Sequence, residues 1–143
     1  MALQVISLGH PLSRPSHKFI KGIAPKGWYS FYYASLHLDR FDQVIPVIDK
    51  ALDELRSQGA DLSGATRTII VPPGMSMVSM VFAAAWMGVT GDLPEILNVM
   101  RIGQEHVPCP ELPIINLHSV KNNMRATHRR KNILSMVMDE ELA

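Results

Sequence analysis

At 143 residues, with 47% hydrophobic and 19% charged side chains, the chain has the make-up of a single globular domain with one core. A net charge of +1 excludes a protein that coats DNA by bulk electrostatics, and the lone cysteine, Cys109, excludes an intramolecular disulfide and a CxxC metal knuckle. The N-terminus opens on an apolar strand with no basic n-region or small-residue cleavage site, so a cytoplasmic location is expected.

The segment from Ala2 to Leu8 reads as a short strand that stops at Gly9-His10-Pro11, where a glycine and a proline bracket a histidine in a strand-end loop. Ser13 is placed to cap a helix that carries Pro15 in its first turn and runs to about Ile23. The aromatic run from Trp28 to Leu38 predicts a second strand. Asp39 is a candidate cap for a helix from about Phe41 to Gln58, with Phe41, Val44, Ile45, Ile48, Leu52 and Leu55 on one side and Gly59 at its end; the early Pro46 also allows a first turn that begins near Val44 or Ile45.

Residues 68 to 91 carry no charge, but Pro72-Pro73-Gly74 divides the run, so it is too short on either side of the break for the ~20 apolar residues of a membrane span. Thr68 to Val71 suits a buried strand, and the Met, Val, Phe and Ala that follow suit a buried helix ended by Gly88 and Gly91. The turn between them presents backbone N–H groups at a helix N-terminus, where an anion can be held. A fourth strand is expected from about Glu95 to Ile102. Gly103 to Leu112 reads as a loop that could extend a hairpin, with Cys109 a bystander in it. Pro113 to Leu117 gives a fifth strand and Ser119 to about Lys131 a last helix, capped by Ser119 or Asn116. Residues 132–143 read as a C-terminal tail, in which Ile133 to Met138 is apolar enough for a last helical turn or a strand against a partner. The basic cluster from Arg125 to Lys131 suits a solvated helix face.

Strand and helix alternate throughout, which predicts an α/β fold: one Rossmann-like domain over 1–143, with a mostly parallel sheet of about five strands and helices on both faces. In such sheets ligands sit beyond the carboxyl ends of the strands. His10 and His118, each directly after a strand, are the candidate acid–base groups. Gly74 and Ser76 at the central turn and Asn116 near the last strand supply further polar contacts. GxGxxG, the phosphate loop GxxxxGK[ST], HExxH and GxSxG are all absent, so no dinucleotide cofactor, NTP hydrolysis, metal or serine nucleophile is expected.

Four stretches in order, Gly9-His-Pro-Leu-Ser13, Val71-Pro-Pro-Gly-Met-Ser76, Met87-Gly-Val-Thr-Gly-Asp-Leu-Pro94 and Ile114-Ile-Asn-Leu-His-Ser-Val120, resemble a small stand-alone accessory family of type III CRISPR systems, the fifteenth of the miscellaneous CRISPR-associated series. The resemblance spans Ala2 to about Arg125. It departs from the family at the glycine before His10, at His118 where glutamine is common, and in the longer tail. The resemblance implies a relative of the Rossmann-like domains that sense cyclic oligoadenylates. It implies a protein that binds cyclic tetra-adenylate between protomers and degrades it as a metal-independent ring nuclease, a ribose 2′-OH attacking the adjacent phosphate to leave a 2′,3′-cyclic phosphate. On that reading His10 and His118 are catalytic, and Gly9, Ser13, Arg14, Pro73, Gly74, Met75, Ser76, Asn116 and Ser119 contact ligand. No cofactor, metal, membrane or DNA is involved, and the chain is a homodimer or larger homo-oligomer bridged by ligand. Two alternatives stand beside it: a protein that sequesters the ligand with slow or no cleavage, and a generic Rossmann-like interaction module.

Overall fold

The computed structural model describes the backbone of residues 2–142 and the side chains of residues 2–138. The strands β1 (Leu3–Leu8), β2 (Ser30–Ala34), β3 (Arg67–Val71), β4 (Glu95–Leu97) and β7 (Ile114–Asn116) form one sheet in the order β2-β1-β3-β4-β7. The first three pairings are parallel and the last, β4 with β7, is antiparallel. Helices α1 (Arg14–Ile23), α2 (Val44–Gln58), α3 (Ser76–Thr90) and α4 (Leu117–Leu142) connect or follow the strands, and β5 (Val99–Ile102) with β6 (Glu105–Pro108) makes a separate hairpin. This is a Rossmann-like α/β fold.

Period-two alternation on the strands divides the core between the two faces. In β1 and β3, Ile6, Leu8 and Ile70 point to one side and meet Ile48, Leu52 and Leu55 of α2 with Val78, Phe82 and Trp86 of α3. Leu3, Val5, Ile69 and Val71 point to the other and pack on Ile20 of α1. The central strands are buried along their length, which is why they read as continuous apolar runs. Gln4 of β1, one of the polar exceptions with Ser7 and Thr68, is fully bonded: its amide donates to Asp61 O (2.8 Å) and Thr68 Oγ1 (2.9 Å) and accepts from Asp61 N (2.9 Å). At the outer edge, β2 would offer free backbone groups, but the Gln58 amide accepts from Tyr33 N (3.1 Å) and donates to Tyr33 O (2.7 Å), standing in for one rung of a neighbouring strand.

Several expected boundaries shift. Ser13 caps α1 through Ser16 N, as the sequence predicts, and Gly59 closes α2 in the left-handed region at φ +100°. Asp39 does not cap α2: a 3-10 turn at Phe41–Gln43 intervenes, so the helix starts at Val44 with Pro46 in its first turn, where no N–H is required. Gly88 lies inside α3, and Gly91 ends it. The single strand expected from Glu95 to Ile102 is cut at Asn98, whose N–H bonds Pro113 O, whose O accepts from Cys109 N and whose side chain bonds Leu112 O. Those bonds turn the chain out of the sheet into β5. The region expected as a tail from residue 132 is the second half of α4.

Candidate functional site

In the order β2-β1-β3-β4, successive connections leave β1 in opposite directions, so the switch in strand order falls between β1 and β3. The loops that follow these two strands meet there. Gly9 has φ +108°, and a side chain on it would lie 3.5 Å from Pro73 Cβ; one on Gly74 would lie 4.0 Å from His10 Nε2. The two loops are thus in van der Waals contact, and the positive φ of Gly9 is what favours glycine there. The hydroxyl of Ser7, fully buried in β1, donates to His10 O and holds the backbone of that histidine.

The hairpin β5–β6 folds over these loops and packs on α1, closing a cavity of about 350 Å³. His10, Ser13, Pro73 and Gly74 line it from below, and Arg101 and His106 from the hairpin. The His10 and His106 rings are nearly parallel, 17° apart, with centroids 6.1 Å from one another. Ser13 ties the hairpin down: its hydroxyl donates to His106 O (2.7 Å) while accepting from Ser16 N (3.3 Å) at the start of α1. Arg101 Nε donates to Gly103 O (3.2 Å), so the guanidinium lies back along its own turn. Among the described residues lining this cavity the ionisable groups are one arginine and two histidines, with no carboxylate. An anion is the ligand that this lining favours. No side chain caps α3, whose first-turn N–H groups adjoin Gly74 and remain open to solvent or to a ligand.

The structure brings together only part of the set expected from sequence. His10, Ser13, Pro73 and Gly74 line the cavity and Gly9 adjoins it. Met75 and Ser76 follow at the exposed start of α3, and Arg14 is exposed at the start of α1; none of the three lines the cavity. The expectation that Asn116, His118 and Ser119 join His10 is corrected. Because β7 runs antiparallel, with Asn116 opposite Glu95 and Ile114 opposite Leu97, its carboxyl end lies at the amino end of the parallel strands. Asn116 there caps α4, its Oδ1 accepting from Ser119 N (3.0 Å), and His118 Nδ1 sits 3.4 Å from Asp92 Oδ1. Asn116 borders a different, smaller cavity of about 220 Å³, where Arg67 makes a two-pronged ion pair with Glu95 (2.7 and 2.9 Å). That pairing raises the Arg67 pKa further.

Arg101 and His106 are the site residues that the sequence reading missed. One signal for them existed. Gly103 has φ +62° while Gln104 does not have positive φ, the pattern of a two-residue type II′ hairpin turn, and Gly-X between short apolar runs is its signature. Among the described residues, no group of three His, Cys, Asp or Glu side chains converges as a metal site would require, and no helix is long and apolar enough to cross a membrane. In comparisons with known proteins, no family model, no curated protein and no solved structure matches this chain.

Proposed function

We propose that the cavity above β1 and β3 binds a cyclic oligoadenylate, with cyclic tetra-adenylate the expected ring, and cleaves it as a ring nuclease. The observation that carries this reading is the facing pair His10 and His106 beside Arg101 in a lining without carboxylates. Cleavage at an adenylate linkage needs an imidazole to accept the 2′-OH proton as the 2′-oxygen bonds phosphorus. A second acid must protonate the departing 5′-oxygen as its bond to phosphorus breaks. The products are a 2′,3′-cyclic phosphate and a 5′-hydroxyl. Two histidines can divide those roles, each cycling through one protonation state. Arg101, on the hairpin side of the lining, would offer its positive charge to the phosphate oxygens. His118 has no part in this assignment.

At about 350 Å³ the cavity is at the small end of ligand sites, and a ring of four nucleotides exceeds it severalfold. The rest of the ring is therefore expected to be gripped by a second copy of the chain, giving a ligand-bridged homo-oligomer that acts in the cytoplasm. A second reading, sequestration with little turnover, is favoured by one observation: no carboxylate in the lining orients either imidazole.

Purified protein incubated with labelled cyclic tetra-adenylate in EDTA tests both. Multiple turnover with a bell-shaped pH profile, abolished in His10→Ala and in His106→Ala while Arg101→Ala mainly weakens binding, supports the nuclease. Tight retention without product supports sequestration. The absence of both retention and product would refute the cyclic oligoadenylate reading.

A further inference from the structure

Helix α4 is 26 residues long, about 39 Å at 1.5 Å per residue, and it meets the sheet at β4 and β7, yet only Leu117 and Lys121 among its described side chains are even half-buried. Every described side chain from His118 to Met138 is exposed except the half-buried Lys121. Five of the exposed residues are large and apolar and fall within six positions: Ile133, Leu134, Met136, Val137 and Met138. Helix propensity alone does not account for such a block on a free helix, where a polar surface would cost less.

The charges flanking the block show what it fits. Arg129, Arg130 and Lys131 precede it, and Asp139, Glu140 and Glu141 follow it. Positions 127, 130, 131, 134, 137, 138 and 141 recur at three- and four-residue steps and so share one stripe of the helix. An antiparallel pair of such stripes that sets Leu134 of one copy against Val137 and Met138 of the other brings position 141 against Arg130 and Lys131, at both ends of the pair. A parallel pair would set each charged block against its own copy, basic on basic and acidic on acidic. We propose that the second half of α4 is a self-association element that pairs antiparallel with α4 of a second copy about a two-fold axis. The basic cluster from Arg125 to Lys131 then serves the partner chain rather than a ligand. This interface is independent of the cavity, and its test needs no nucleotide.

Sedimentation of the full, ligand-free chain between about 1 and 100 µM is expected to show twice the 15.9 kDa chain mass. Leu134→Asp should sediment at the chain mass with unchanged circular dichroism, because Leu134 touches no core residue among those described. Glu141→Lys and the double change Arg130→Glu/Lys131→Glu should each weaken the dimer about tenfold, and all three changes together should bring it back to within about threefold of the original. A wild-type chain that stays at the single-chain mass at 100 µM overturns the proposal, as does a dimer that survives Leu134→Asp. Charge variants whose defects add instead of compensating overturn the antiparallel register. Retention of a monomeric chain on anionic vesicles would assign the basic–apolar helix to a lipid surface and overturn self-pairing.

Discussion

Gln4 offers the clearest quantitative test of how the sheet is fastened to the loop before β3. It is 2% exposed, the second residue of β1, and its amide makes three hydrogen bonds, two to the backbone of Asp61 and one to Thr68 Oγ1. Gln4→Leu keeps the volume and removes all three. At about 1 kcal/mol net per bond the loss is about 3 kcal/mol, offset by about 1 kcal/mol from the added apolar surface, for a net cost of about 2 kcal/mol. Gln4→Ala lacks that compensation and adds a small cavity, so about 4 kcal/mol is expected. Urea titration gives these differences directly, and the thermal midpoint of Gln4→Leu should fall by roughly 4–8 °C for a chain of this size. Thr68→Val in combination isolates one bond, with a coupling of about 1 kcal/mol. A Gln4→Leu protein within about 0.5 kcal/mol of wild type would refute the claim that these bonds hold the loop.

Gly64 and Gly91 both have positive φ, +88° and +80°, but only at Gly64 would a side chain collide with backbone, 2.5 Å from Thr90 O. Gly91→Ala should cost about 1 kcal/mol of strain and Gly64→Ala about 2–4 kcal/mol, and equal costs in urea titration would contradict the collision. Asp61 titrates at about 2, lowered because Ser63 and Thr66 donate to its carboxylate. Its folded pKa lies below the unfolded one, so its contribution is complete above the unfolded value near 4 and is lost as pH falls through 2. The gap in thermal midpoint between wild type and Asp61→Asn should hold steady from pH 7 to about 5 and close between 4 and 2; a gap that widened on acidification would reverse the sign of this linkage. Gln58→Ala frees the backbone of Tyr33 on the edge strand, so turbidity on heating should rise faster while stability falls by only about 1 kcal/mol. Unchanged aggregation would show that the amide does not shield the edge.

Local pattern carried β1, α1, β3 and α3, because buried parallel strands and capped helices leave their signature in consecutive residues. The same holds for the loops around His10 and Gly74, which follow from where those strands stop. Two features lay beyond local pattern. The break at Asn98 is made by bonds to residues 109–113, and nothing within Glu95–Ile102 distinguishes it from a continuous strand. The direction of β7 is set by pairing three residues against β4, and a three-residue strand carries no mark of direction. That one unreadable choice sent His118 to the wrong end of the sheet on paper, while His106, on a hairpin whose turn was legible but whose docking on α1 was not, took its place beside His10. Along α2 the helical spacing correctly marked Ile48, Leu52 and Leu55 as core, but Phe41 and Ile45, 73% and 63% exposed, precede the stretch where the helix meets the sheet.

The reversal of β7 also decides how the molecule can be handled. Leu3 begins β1 beside Arg67, and α4 departs from beside Pro94, so both extremities of the fold emerge from the same end of the sheet. The cavity with His10 and His106 opens at the other. A dye or tag attached before β1 therefore stands a full strand length away from the cavity, roughly 20 Å for six residues. A chain immobilised there would present its cavity to the bulk solution, which makes surface-based binding measurements feasible without re-engineering either terminus.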